Sequence, residues 1–413
     1  MVVDMNAARV AGDAGVELDL GQGSPTAASW RDGKRYAWLL GLLVPAVPFI
    51  AWGLVSATGL GLFWWFGPLF VFGMMPVLDN VIGTDRANPP DSVIAWLEAD
   101  RYYRWCTYLY LPLQYASLGW AAWEWSHGQL GVVDKLGLAL TVGIVSGIAI
   151  NTAHELGHKK EQLERWLSKI ALAQTGYGHF YIEHNRGHHV RVATPADPAS
   201  SRLGESFWEF LPRTVVGSLR SGWRLEADRL GRLGKRPWTL RNDVLNAWAM
   251  TGLLFAALLA GFGVGILPYL LVQAVFGFCL LEVVNYLEHY GLVRQRQANG
   301  RYERVRAVHS WNSNNISSNV LLYHLQRHSD HHANPTRRFQ ALRHFDEAPQ
   351  LPSGYATMIV LAYLTPLWRR VMDPRVLAHY DGDVTRANIH PRARARLLAR
   401  YARAGAPATV DAA

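Results

Sequence analysis

Cysteine is almost absent: the 413 residues contain only Cys106 and Cys279, both in aromatic or apolar surroundings. Two such thiols cannot build a disulfide framework, and with no CxxC pair the chain has no thiolate iron centre of its own. Charge is missing too, but only locally. The mean hydropathy of 0.00 is that of a soluble protein. Yet Tyr36–Ser56, Leu60–Leu78, Thr107–Trp123, Leu136–Asn151 and Ala247–Gly263 carry no Asp, Glu, Lys or Arg, and Ile266–Val284 carries only Glu282. The first thirty residues have no apolar core and no charged-then-apolar signal pattern, and read as a flexible tail.

Twenty helical residues cover about 30 Å, the thickness of a bilayer's hydrocarbon core. The six uncharged stretches therefore read as six transmembrane helices. Of the 41 Lys and Arg residues, only Lys135 falls in the loops after the first, third and fifth spans. The positive-inside rule places the others, and both termini, on the cytoplasmic side. An anionic membrane surface and an acidic partner then account for the net charge of +9 without nucleic acid. The expected fold is an all-α integral membrane protein. It has a tail over 1–30, four spans within 31–153, a cytoplasmic section over 154–246 and two spans within 247–284. A second cytoplasmic section over 285–383 and a C-terminal tail over 384–413 complete it, and the two cytoplasmic sections form a helical cap.

Histidine carries the chemistry. His328, His331 and His332 sit at i, i+3 and i+4, on one face of a helix. His154 and His158 repeat the idea in HELGHK, and His184, His188 and His189 in EHNRGHH. Histidine is the commonest metal-binding side chain, and all three clusters fall near the cytoplasmic ends of spans four and six. HELGH alone matches the zinc-protease helix, but a protease leaves six of the eight histidines without a task. Eight imidazoles exceed what one metal uses. Two irons fit better, because oxygen chemistry needs a redox change that zinc cannot supply.

The spacing resembles the histidine boxes of the membrane fatty-acid desaturase and hydroxylase superfamily. Within it, the runs NTAHELGHKKE, GYGHFYIEHNRGHH, NYLEHYGL, SWNSNNISSN and LQRHSDHHANPTRRFQ are similar to those of bacterial membrane alkane 1-monooxygenases. So are the linking pieces VATPADPASSRLGES and NGRYERV, and the likeness extends from about Leu60 to Asp383. The resemblance implies a ninth ligand, His289. It implies a non-haem di-iron site using O2 and two electrons to convert the terminal methyl of an n-alkane to a primary alcohol. The implied electron donor is a separate rubredoxin, reduced through a reductase from NAD(P)H, and the implied location is the bacterial inner membrane. A hydroxylase or desaturase of another lipid, or of an aromatic methyl group, is the nearest alternative. A membrane metal carrier would need ligands inside the spans, where only Glu282 lies.

Four carboxylates adjoin the clusters: Glu155, Glu183, Glu288 and Asp330. Helical neighbours of a ligand face away from it, so these are expected to orient ligands rather than bind metal. His127, His179, His309, His324, His344, His379 and His390 read as structural. The alkane is expected between the spans, with the bulky Trp52, Leu54 and Trp64 closing the far end of its tunnel. Arg294, Arg296, Arg301, Arg304, Arg306, Arg337, Arg338 and Arg343 are expected to attract an acidic rubredoxin.

Overall fold

The computed structural model describes residues 30–402. The expected tail over 1–30 thus lies outside the described residues except for Trp30, and so do residues 403–413. In chain order the principal helices are α1 (Ala37–Thr58), α2 (Gly61–Ile82), α3 (Tyr110–His127), α4 (Val132–Gly157), α5 (Gln162–Leu172), α6 (Phe207–Arg232), α7 (Asp243–Phe262), α8 (Val264–His289), α9 (His328–Ala333), α10 (Tyr355–Tyr363) and α11 (Thr365–His379). Among the described residues the only β pairing is in isolated bridges.

Five helices, α1, α2, α4, α7 and α8, are long and apolar enough to cross a membrane. The expected third span falls on α3, where Gln114, Glu124 and three tryptophans dilute the apolar content. This helix packs against α1 and α4, and Gln114 spends its amide donor on the Ala171 carbonyl at 3.0 Å. The hairpin between α1 and α2 closes at Gly59, whose φ of 72° suits a residue without Cβ. Its N–H donates to the Val55 carbonyl at 2.7 Å.

The centre of the molecule is α4: 89% of its apolar window is buried, against 11% for α7 on the periphery. Helix α8 runs beside α4 in the same direction, and glycines bring the two backbones together. A Cβ on Gly147 would lie 2.9 Å from the Gly277 carbonyl oxygen, and one on Gly143 2.9 Å from the Phe276 ring. Small residues four apart are how helices approach in lipid, where burial from water offers no drive. Polar groups seal the same seam: Ser146 Oγ donates to Gln273 Oε1 at 2.7 Å, and Gln273 Nε2 to the Gln174 carbonyl at 2.7 Å. This pairing delivers the ends of α4 and α8, with His154 and His289, to the same side of the molecule.

Residues 155–242 and 290–402 fold over that side. Helix α6 begins with a capping box, Glu209 N–H donating to Ser206 Oγ at 3.2 Å and Ser206 N–H to Glu209 Oε2 at 2.9 Å. Part of the expected C-terminal tail belongs to the fold: Leu203 N–H donates to the Asn388 carbonyl at 2.6 Å, and His390 N–H to the Leu203 carbonyl at 3.0 Å.

The glycine seam can be tested directly. Gly277→Val places methyl groups where a Cβ already meets Thr175 Cγ2 at 3.0 Å and Gly147 N at 3.2 Å. Overpacking of this kind costs about 1–3 kcal/mol, visible as a lowered thermal midpoint of the detergent-solubilised protein. Gly252→Val on α7, where a Cβ meets nothing within 4 Å, should leave the midpoint unchanged.

A candidate metal centre of nine histidines

Four stretches of chain bring nine imidazoles together. The last turns of α4 and the residue after it supply His154 and His158. The end of α8 supplies His289, and the short α9 supplies His328, His331 and His332. The remaining three lie on a π-helical turn, Glu183–His188, and the residue after it. In an α-helix, residues five apart point about 140° away from each other. The π turn closes i to i+5 instead, so His184 and His189 meet with their Nε2 atoms 3.1 Å apart. His188, between them, points elsewhere.

The nine rings form two groups. His154, His158, His184, His189 and His331 make one, and His188, His289, His328 and His332 the other; in each, the candidate ligand atoms all lie within 4.8 Å of one another. In the first, His331 Nε2 faces His154 Nε2 at 2.9 Å and His189 Nε2 at 3.0 Å. In the second, His332 Nε2 faces His328 Nε2 at 2.9 Å and His188 Nε2 at 3.3 Å. The His289 ring packs 5.0 Å from that of His188 and 5.2 Å from that of His328.

Proton sharing does not explain such contacts, because one imidazole N–H cannot serve two facing nitrogens. Metal–imidazole bonds of about 2.1 Å set at right angles place their nitrogens about 3 Å apart, which is the spacing found. Protonation is also disfavoured. Burial first, then neighbouring charge, holds the pKa of His158, His184, His189, His328, His331 and His332 well below the ordinary value. Neutral imidazole is the form that binds metal.

One carboxylate outside the expected four holds a ring in place. Asp197 Oδ2 lies 2.9 Å from His188 Nδ1, leaving Nε2 for the four-histidine group. Burial pushes the Asp197 carboxyl up, but His188 and the Ser200 hydroxyl outweigh it and bring the pKa down to about 2. Asp197 lies within VATPADPAS, a loop with no periodicity to reveal which side chain turns inward.

Of the four expected acids, only Glu288 touches an imidazole, with Oε2 3.2 Å from His328 Nε2 and the Tyr355 hydroxyl donating to its Oε1 at 2.8 Å. Glu155 instead pairs with Lys159 at 2.9 Å, Glu183 with Arg191 at 2.7 Å and Asp330 with Arg337 at 2.7 Å. Burial pushes the Glu183 carboxyl up to about 7, against the Ser221 hydroxyl and Arg191. These three brace the backbone around the site.

Helix α9 is approached through Tyr323 and His324, both left-handed at φ 50° and 54°, a strained conformation for residues with a Cβ. His324 Nδ1 lies 3.0 Å from the Phe339 carbonyl, and its ring packs edge-on to Trp38 at 4.6 Å. Asn312 Oδ1 accepts from the Ser329 N–H at 3.0 Å and anchors the first turn. His127 and His309 lie apart from the nine, His127 against the Trp123 carbonyl at 3.0 Å and His309 paired with Glu303 at 3.2 Å.

An apolar cavity of about 70 Å³ leads from this site into the helices. His154, His184, His328 and Glu288 line one end; Val44, Val71, Gly147 and Leu280 line the other. Trp52, Leu54 and Trp64 do not line it, contrary to expectation. The inward face of α1 carries Val44, Val47 and Ala51, which turns the next residue, Trp52, outward to 48% exposure. Trp64 is buried in a separate cluster with Leu118 and Leu138.

Residues 135–362 match the family model for fatty acid desaturase. Fold and site together define a membrane-helical, histidine-rich member of that group. The chain is 49% identical to an alkane 1-monooxygenase of Acinetobacter baylyi, over 90% of this chain and 91% of that one. It is 49% identical to alkane 1-monooxygenase 1 of Alcanivorax borkumensis, over 87% and 89%, and 46% identical to an alkane 1-monooxygenase of Pseudomonas putida, over 91% and 94%. The chain belongs to the alkane 1-monooxygenase family.

The role of Asp197 gives the second test. A carboxylate that fixes the tautomer of a metal-binding histidine is worth about 10–100-fold in metal affinity. Asp197→Asn should lose metal to a competing chelator correspondingly sooner, with its helix content by circular dichroism unchanged. Equal retention would confine Asp197 to holding its own loop through Ala199 and Ser200.

Proposed function

We propose that the nine imidazoles hold two irons, five around one and four around the other, in an enzyme that hydroxylates the terminal methyl of n-alkanes to primary alcohols with O2 and two electrons. The observation that carries this reading is the apolar cavity whose inner end is walled by His154, His184 and His328. A terminal methyl has no handle for recognition, so only shape and dryness can present it. When bound, the irons supply the redox change that attack on an inert C–H bond requires.

The chain's own residues do the rest. Val44, Phe70, Val71, Leu280 and Ile359 hold an extended alkyl chain and exclude water from it. Phe70 and Val71 lie on a second π turn, Leu69–Met74, which departs from α-helical spacing beside the cavity. Glu288 and Asn285, at the histidine end, provide polar groups beside the carbon that becomes the alcohol. The Tyr355 hydroxyl fixes the orientation of Glu288.

Electrons come from a separate rubredoxin reduced by NAD(P)H through its reductase. The loop carrying Arg294, Arg296, Arg301, Arg304 and Arg306 supports this reading, because Arg294 Nη2 donates to the carbonyl of Val190, next to His189, at 2.9 Å. Helix α3 is the sixth span, since it packs among spans, and the basic end carrying the site faces the cytoplasm of a bacterial inner membrane.

Membranes supplied with rubredoxin, its reductase and NADH should convert octane or hexadecane to 1-alkanols. Oxidation of a fatty acid with no alkanol from either alkane would overturn the substrate class. His289→Ala should abolish hydroxylation and lower bound iron, whereas His127→Ala should leave both near normal. Two irons retained by purified His289→Ala would remove His289 from the ligand set.

Turnover at subsaturating rubredoxin should also fall between low and moderate ionic strength, because opposite charges steer encounter only within a Debye length. A flat response would mean that the arginine loop serves the lipid surface instead.

A further inference from the structure

Away from the histidines, α11 and the C-terminal helix Arg394–Ala402 enclose a pocket of about 400 Å³. Its walls carry four guanidiniums, Arg369, Arg370, Arg396 and Arg400, and one carboxylate, Asp373. The lining is thus three positive charges in excess. Among the described residues none of the four arginines forms a salt bridge, although Arg186, Arg191, Arg213, Arg229, Arg337 and Arg338 each pair with a carboxylate. Asp373 lies close enough to interact with Arg369, Arg396 and Arg400 but offsets only one of the four charges, and it also accepts from the Tyr290 hydroxyl at 2.8 Å. Arg369 is braced by donating to the Gly204 carbonyl at 2.6 Å.

The surroundings place this pocket at the membrane boundary. Helix α10, which precedes α11, packs against α2 and α8, and the ring of its last residue, Tyr363, meets Phe72 of α2 at 6.2 Å. Immediately beyond, Leu364 and Leu367 are 48% and 46% exposed, and Trp208, stacked on Tyr363, is 58% exposed. Exposed leucines beside a tryptophan and a tyrosine mark the depth at which acyl chains meet headgroups. Arg370 follows Leu367 by three positions on the same helix, just past that level.

From these two observations we infer that the pocket binds the phosphate of an anionic phospholipid of the surrounding bilayer, with the lipid's acyl chains lying against Leu364, Leu367 and Trp208. Arginine suits this ligand because its planar fork matches phosphate oxygens two at a time. Basic pockets at the headgroup level recognise anionic lipids in this way. The site is separate from the cavity that ends on the histidines, and it depends on the membrane location of the chain rather than on its reaction.

The test uses the full chain, purified in detergent, stripped of co-purifying lipid and then given phosphatidylglycerol, phosphatidylcholine or inorganic phosphate. Phosphatidylglycerol should raise the thermal midpoint by about 3 °C or more through preferential binding to the folded state, and phosphatidylcholine and inorganic phosphate should not. In the double variant Arg396→Gln, Arg400→Gln the shift should vanish, and native mass spectrometry should show at least tenfold less retained phosphatidylglycerol. Arg396→Lys, Arg400→Lys should keep part of both effects, which separates lost charge from misfolding. The same shift in wild type and Gln variant would overturn the site. A response to inorganic phosphate equal to that for phosphatidylglycerol would overturn the lipid as its occupant. Unchanged lipid responses with weakened use of rubredoxin would reassign the arginines to docking an acidic protein.

Discussion

Nine imidazoles packed against one another set the terms for the rest of this fold. Each ring must be held and aimed at its group, and nothing in a loose loop does that. The protein meets the demand with the rigid ends of two adjacent helices, α4 and α8, against which the π turn and α9 are fixed. The glycine seam between them therefore serves the site as much as the fold. If α4 and α8 stood further apart, His154 and His289 could not reach their groups together.

The polar residues along that seam follow from the same demand. Ser146, Gln174 and Gln273 hydrogen-bond with one another in the heart of an apolar bundle, where burying a polar group without such a partner costs about 1–3 kcal/mol. Farther down, Asp197, Glu155, Glu183 and Asp330 work outward from the histidines: one orients a ring, and three tie backbone segments with arginine or lysine. Left-handed backbone at Tyr323 and His324 lets the chain turn sharply to launch α9 over the site; Ala193 and Asp381 are the other non-glycine residues in that conformation among those described.

The three histidine clusters and all five of the long apolar helices are legible in the sequence, the first because their spacing is helical and the second because their uncharged runs are about twenty residues long. Imidazoles at i, i+3 and i+4 have little reason to recur three times on helices, and uncharged runs of twenty residues have few uses outside a bilayer. His289 was not legible from spacing, since a single histidine at a helix end has no period; only the family pattern pointed to it. Asp197 escaped for the same reason. The outward direction of Trp52 is not legible, because hydropathy reports that a residue is in a span and not which way it faces. The inward face of α1 is carried by smaller residues. An odd number of rings already implies unequal groups, but which ring joins which group is hidden, because it depends on a π turn that no simple pattern announces.

Two adjacent pairs, His188–His189 and His331–His332, send one ring into each group. Neighbouring Cα atoms are about 3.8 Å apart across a trans peptide, and that length does not vary. The separation of the two groups is thus constrained by the covalent chain twice, by pairs whose rings pack against each other, His189 4.9 Å from His331 and His188 4.9 Å from His332. Breathing of the surrounding helices can tilt the pair of groups as a unit, but it has little purchase on the gap between them.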